Sequence, residues 1–121
     1  MECGGTIIYI RDDFTSKSRK DLDDMLYKQS ELESTFIEII VPKEKNIVCG
    51  CIYKHPFMEA NEFNEKFFLP LLHKLSKENK VLFLMGDFNI NLLNINDDND
   101  VTDFFDIIAS NLLIPFIIHQ T

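Results

Sequence analysis

The stretch with the clearest chemical content is Val81-Leu-Phe-Leu-Met-Gly-Asp-Phe-Asn-Ile90, in which an apolar run ends at Gly86 and polar Asp87 and Asn89 follow at once. In α/β sheets, ligands bind in the crevice beyond the carboxyl ends of the strands. Glycine lets a backbone turn sharply and approach a neighbour closely. Asp87 and Asn89 are two apart, so an extended backbone sends both side chains to one face. A carboxylate beside a neutral amide is an oxygen-donor pair suited to a hard divalent cation, or to a polarised water near a phosphate. Asp and Asn are also common turn residues, and the spacing by itself serves either use. A calcium loop is excluded. Asp87, Asn89 and Asn91 match its first three ligand positions, but Leu92 stands where Gly is required and Asp98 where Glu is required.

A second candidate is Cys51-Ile-Tyr-Lys-His-Pro56. A tyrosine hydroxyl next to a cation can donate to a phosphate oxygen and stabilise developing charge. The structural alternative is a strand-end Tyr53 packing on its neighbours, with an exposed Lys54–His55 pair. The other reactive side chains form no set. His73 falls off the apolar stripe of its helix, His119 has no evident partner, Cys3 is isolated, and Cys49 and Cys51 read as small core residues of one strand. Gly4-Gly5 lacks the lysine of a phosphate loop.

The elements that must position these groups follow from periodicity. Gly5–Ile10, Thr35–Val41, Asn46–Tyr53 and Lys80–Met85 are short and rich in Ile, Val, Phe and Tyr, which predicts strands. The short Lys43–Asn46 connection pairs the second and third as a hairpin, with Pro42 closing the first of them. Phe14–Lys20 is expected to return beside the first strand, and Asp21–Ser30 to form a short helix or loop. Phe63, Phe67, Phe68, Leu71, Leu72 and Leu75 recur at helical spacing, predicting a helix over Asn61–Lys77 with Asn61 as N-cap. Pro70 should kink or divide it. A second helix is expected over Asp100–Asn111, preceded by the solvated acidic run Asp97–Asp100, and a last strand over Leu113–Ile118. The whole reads as one α/β domain over residues 1–121, antiparallel in its first half.

The 121 residues carry 12 Lys+Arg against 20 Asp+Glu, a net charge of −8. That balance makes a poor non-specific binder of nucleic acid, which needs clustered cations. The longest apolar stretch, Leu112–Ile118, is too short to span a bilayer, so no membrane partner is expected. No signal stretch opens the sequence, and three widely placed cysteines suit a reducing, intracellular setting. Lys outnumbers Arg ten to two, and Ile, Asn and Phe are abundant, a composition of A+T-rich codons.

Gly86-Asp-Phe-Asn89 after an apolar strand is similar to the GDFN motif of the endonuclease/exonuclease/phosphatase superfamily. The upstream segments GGTIIYIRDD, ESTFIEIIVP, VCGCIYKHP and FNEKFFLPLLHKL resemble, in that order, the endonuclease domain of LINE-type non-LTR retrotransposons. The resemblance runs from Gly4 to about Ile118. It implies a two-sheet β-sandwich flanked by helices, here in part, and hydrolysis of phosphodiesters or phosphomonoesters dependent on Mg²⁺ or Mn²⁺. It makes Tyr53 a contact of the scissile phosphate. Asp87 would orient or deprotonate the attacking water beside the metal, and Asn89 would bind phosphate, with Asp87 and Asn89 nearest the cation. DNA is the implied substrate, a reverse transcriptase domain the implied companion in a parent polyprotein, and the nucleus the site of action in retrotransposition.

The family also has an Asn and a metal-binding Glu upstream, and an Asp and an Asp-His pair downstream, that Glu2 and His119 do not match. The chain is therefore expected to be the central part of a longer domain and not to cleave DNA on its own. Two other readings stand beside this one: a catalytically dead remnant acting at most as a binding module, and a lipid or nucleotide phosphatase of the same superfamily. The resemblance requires Tyr53, Asp87 and Asn89 to meet at one end of the sheet.

Overall fold

Leu32, Phe36 and Glu38 of one strand, and Val48, Gly50, Ile52 and Lys54 of the next, are buried while residues between them are half-exposed. That alternation is the period of a sheet with one face against a core. The computed structural model of the chain describes residues 6–89. Its elements are β1 (Ser16–Ser18), α1 (Lys20–Met25), β2 (Leu32–Ile39), β3 (Ile47–Lys54), α2 (Ala60–Glu62), a π-helical stretch (Phe63–Phe68), α3 (Leu69–Ser76) and β4 (Val81–Asp87). The strands form a four-stranded sheet in the order β1-β2-β3-β4. The first three are antiparallel, and β4 runs parallel to β3 after the helical crossover. The architecture is mixed α/β. Among the described residues no helix is long and apolar enough to cross a membrane.

The expected hairpin is present, tightened by a turn in which Glu44 N–H donates to the Val41 carbonyl at 3.2 Å. Pro42 precedes Lys43 at φ +65°, the pattern of a type II turn. Phe36 pairs with Gly50, and its ring fills the space a side chain at Gly50 would need. The buried face is covered by Leu22 of α1, by Leu26 just after it, and by Phe63, Phe68, Leu71, Leu72 and Leu75 from the crossover. This is the predicted stripe, with Phe67 packed at its edge. Full burial of each such side chain contributes roughly 1.5–3 kcal/mol.

Three expectations are corrected. Residues 6–10 join no strand: the Thr35 hydroxyl bonds Thr6 through its carbonyl and hydroxyl, so this segment is tied by side chains instead of a ladder. Ser16–Ser18 pairs with β2 in its place. The helical crossover begins at Ala60, one residue before Asn61, and no side chain caps it. Pro70 sits at the start of α3, and the π-helical stretch lies immediately before it. A wider turn accommodates the carbonyl that proline cannot satisfy and would otherwise strike. The expected helix at Asp100–Asn111 and strand at Leu113–Ile118 lie outside the described residues.

At the hairpin end, Glu38 is fully buried in the sheet. Its carboxylate accepts from Arg19 Nη1 and Lys80 Nζ, both at 2.7 Å, and from Asn46 Nδ2 at 2.7 Å. Arg19 also makes paired bonds with Asp21 and with Glu78, each at 2.9 Å. Burial alone would raise the Glu38 carboxyl, but the bonds from Lys80, Asn46 and Arg19 prevail and hold it at about 2. Bonds from Arg19 hold Asp21 and Glu78 below the ordinary carboxylate range against the same burial. These depressed values mean that the cluster stabilises the fold fully above about pH 4.5, the ordinary glutamate value, and is lost as pH falls toward 2. Thermal melts should show this acid limb. Glu38→Gln keeps the shape and leaves Arg19 and Lys80 facing a neutral group. It should cost about 3–5 kcal/mol in urea unfolding and make the acid limb shallower.

Candidate functional site

Because β3 and β4 are parallel, their carboxyl ends coincide, at the end of the sheet opposite the Glu38 cluster. Tyr53 is the register partner of Asp87, and both lie on the face turned away from the core helices. Gly86 makes this register possible. Its φ is +147°, and a Cβ there would lie 1.9 Å from the Ile52 carbonyl oxygen, inside the β3 backbone. The expected role of Gly86 in close approach is thus a backbone requirement of the β3–β4 pair.

Beyond Asp87 the chain leaves the extended conformation, and Asn89 has φ +48°. Strand alternation therefore does not place Asp87 and Asn89 on one face as expected. The Asn89 N–H instead donates to Asp87 Oδ1 at 3.1 Å, a local turn of the kind Asp favours. The Asn89 side chain donates through Nδ2 to the Lys54 carbonyl, crossing from the end of β4 to the end of β3. Between the two polar residues, Phe88 turns inward against Phe63 and Phe68, at 5.9 and 6.1 Å between ring centres. Alternating polar and core-seeking side chains thus fix the turn on both sides. Tyr53, Asp87 and Asn89 lie at the same end of the sheet.

Lys54 and His55 are not the exposed pair expected. Lys54 is 1% exposed, on the inward register with Val48, Gly50 and Ile52. Its Nζ donates to the Met58 carbonyl at 2.9 Å and to the His55 carbonyl at 3.4 Å. Burial pushes this ammonium below the usual lysine range, and the Asp87 carboxylate pulls it partly back. Strand alternation, extended by one residue past Tyr53, carried the signal for this inward lysine. His73 is exposed, as expected. Cys49 and Cys51 are free and half-buried on the outer face with Tyr53, so they are not core residues facing the helices; burial raises both thiols.

The donors at this end suit a hard cation in kind: a half-buried carboxylate, an amide oxygen and a phenol. They suit it less well in charge: the second carboxylate of this rung, Glu33, pairs with Tyr53 and so lies a strand away from Asp87, and the Lys54 ammonium is in the field. Among the described residues no group of three or more His, Cys, Asp or Glu side chains is placed to hold a metal ion. The arrangement can orient a water on Asp87 and bond a phosphate from Tyr53 and Asn89; a tightly held cation would need further anionic ligands. No family model, no characterised protein and no solved structure matches this chain.

The glycine makes a direct test of how this end is built. Gly86→Ala should lower stability in urea by about 2–4 kcal/mol, because both its φ and the Ile52 backbone oppose a Cβ. It should also shift the amide resonances of Tyr53 and Asp87 more than those of Glu38.

Proposed function

We propose that the chain carries the phosphate-binding half of a divalent-metal-dependent phosphodiesterase site of the endonuclease/exonuclease/phosphatase type. In motif order it resembles the endonuclease domain of LINE-type retrotransposons, which nicks DNA. The single observation that carries the reading is the parallel β3–β4 register, with Tyr53 opposite Asp87 and Asn89 tied to the strand end beside Tyr53. This is the end at which α/β sheets bind ligands. The finer fold in this proposal is a two-layer sandwich. Supporting it, the outer sheet face is apolar and about half-exposed at Val81, Phe83 and Met85, as a face awaiting a second layer would be.

The roles follow from the chemistry of each group. Asp87 accepts a proton from, or orients, the attacking water, while its other oxygen stays occupied by the Asn89 N–H. Asn89, held by the Lys54 carbonyl, and Tyr53, held in the strand, bond phosphate oxygens as charge accumulates on them. Mg²⁺ or Mn²⁺ held by Asp87 and Asn89 would polarise the phosphoryl group and acidify its water. With Asp87 the one carboxylate of the matched set, and Glu33 a strand away beside Tyr53, the cation would be held weakly, since Mg²⁺ gives up its waters reluctantly. The chain by itself is thus a binding half-site, and groups that act as a unit fail as a unit. DNA as substrate and a reverse transcriptase domain as companion belong to this same proposal.

Two measurements test it. In ¹H–¹⁵N spectra, Mn²⁺ should first broaden the amides of Tyr53 and of Asp87 to Asn89, and Asp87→Asn should abolish the effect. Broadening centred elsewhere would overturn the site. In a plasmid-nicking assay with Mg²⁺ or Mn²⁺, the chain should be no faster than its Asp87→Ala variant. Nicking that disappears in the variant would show that these residues suffice and would overturn the half-site.

A further inference from the structure

Phe57 is 86% exposed, an unusual state for a ring held in a rigid turn. A single exposed phenylalanine needs no explanation. Phe57 differs because three bonds hold the turn beneath it. Met58 N–H closes the turn on the His55 carbonyl at 3.0 Å, and Phe57 N–H donates to His55 Nδ1 at 3.1 Å. The buried Lys54 ammonium clamps the far side through the Met58 carbonyl, and Met58 itself is buried in the core. Pro56 stiffens the turn further.

The ring also belongs to a row. Its centre is 4.6 Å from the His55 imidazole, and His55 meets the Tyr53 ring edge-to-face at 6.4 Å. An aromatic row therefore starts on Tyr53 and runs outward to an open, immobilised face. We propose that Phe57, backed by His55, is a stacking platform for an unpaired nucleobase of the strand whose phosphate lies at Tyr53 and Asn89. The platform rests on the reading of Tyr53, Asp87 and Asn89 as a phosphate site. Its chemistry favours a base over other flat or apolar partners: one ring and an imidazole bury too little for a protein interface, whereas every base presents a π-face of matching size. With a net charge of −8 the chain offers few cations to neutralise phosphates, so stacking supplies the larger share of the binding.

The test uses the whole chain without metal and a short single-stranded oligonucleotide carrying 2-aminopurine, whose fluorescence reports stacking. Quenching is expected with wild type. Phe57→Ala, which removes an exposed ring and should leave the fold intact by circular dichroism, should bind roughly tenfold more weakly, and Phe57→Trp at least as tightly as wild type. An oligonucleotide of equal charge with an abasic position in place of the reporter base, followed by anisotropy, should bind as weakly as the intact one binds the alanine variant. Between about 50 and about 200 mM salt the affinity should stay nearly flat, in contrast to the steep fall of phosphate-driven binding. Equal binding by Phe57→Ala, equal binding of the abasic strand, a preference for duplex or a steep salt dependence would each overturn the platform. The Mn²⁺ broadening at Asp87, measured without oligonucleotide, separates the two readings. If it is seen while stacking fails, the platform alone falls; if stacking is seen while it fails, the metal-dependent reading falls.

Discussion

A carboxylate buried at the middle of a sheet end must be fully bonded or it will not stay there. Glu38 is that carboxylate, and satisfying it draws together parts of the chain that are otherwise far apart in sequence. Arg19 immediately precedes α1, Asn46 belongs to the hairpin, Lys80 immediately precedes β4, and Glu78 closes the ring from the end of the crossover. With Lys80 fixed on Glu38, β4 has one place to begin beside β3, and the Val81 N–H donates to the Asn46 carbonyl there. Side chains alternate along a strand, so a shift of one residue would turn Tyr53 or Asp87 to the other face. The cluster at one end of the sheet thus sets the geometry at the other.

The two ends use opposite means. At the Glu38 end, two cations and an amide bond both oxygens of the carboxylate. At the Tyr53 end, a buried ammonium bonds backbone carbonyls, and the polar side chains of Asp87 and Asn89 are held by one turn and one strand-to-strand bond. The first arrangement specifies register. The second holds Asp87 and Asn89 in fixed positions at the strand end without filling all their polar atoms.

Much of this was legible in the residues, and the failures have specific causes. The hairpin could be read because β2 and β3 each alternate and are joined by a Pro-Lys turn. The crossover could be read because six apolar residues fall on one stripe, although the sequence did not distinguish a kink at Pro70 from the wider turn that precedes it. Thr6–Ile10 has strand composition, but β-propensity reflects packing on a pleated surface, and Thr35 binds this segment by its side chain instead. Charge misled at Lys54, where the backbone carbonyls of the following turn offer partners that no local pattern displays. At the candidate site the residue types were apparent from the motif, whereas the left-handed turn at Asn89 was not, since it depends on Phe88 finding Phe63 and Phe68 in the core.

The mixed sheet has a consequence for how the protein comes into being. The β2–β3 pair closes a short turn, and α1 packs on β2 close by in sequence, so these contacts form at small loop-closure cost. The β3–β4 pair is different, because the whole crossover must fold before the parallel strand can dock. Non-local parallel pairing is slow on topological grounds. During synthesis the hairpin carrying Tyr53 emerges well before Asp87 does. Tyr53 and the turn of Phe57 therefore exist for a time without their partner strand, and this end of the sheet is completed only when β4 docks, together with the burial of Glu38.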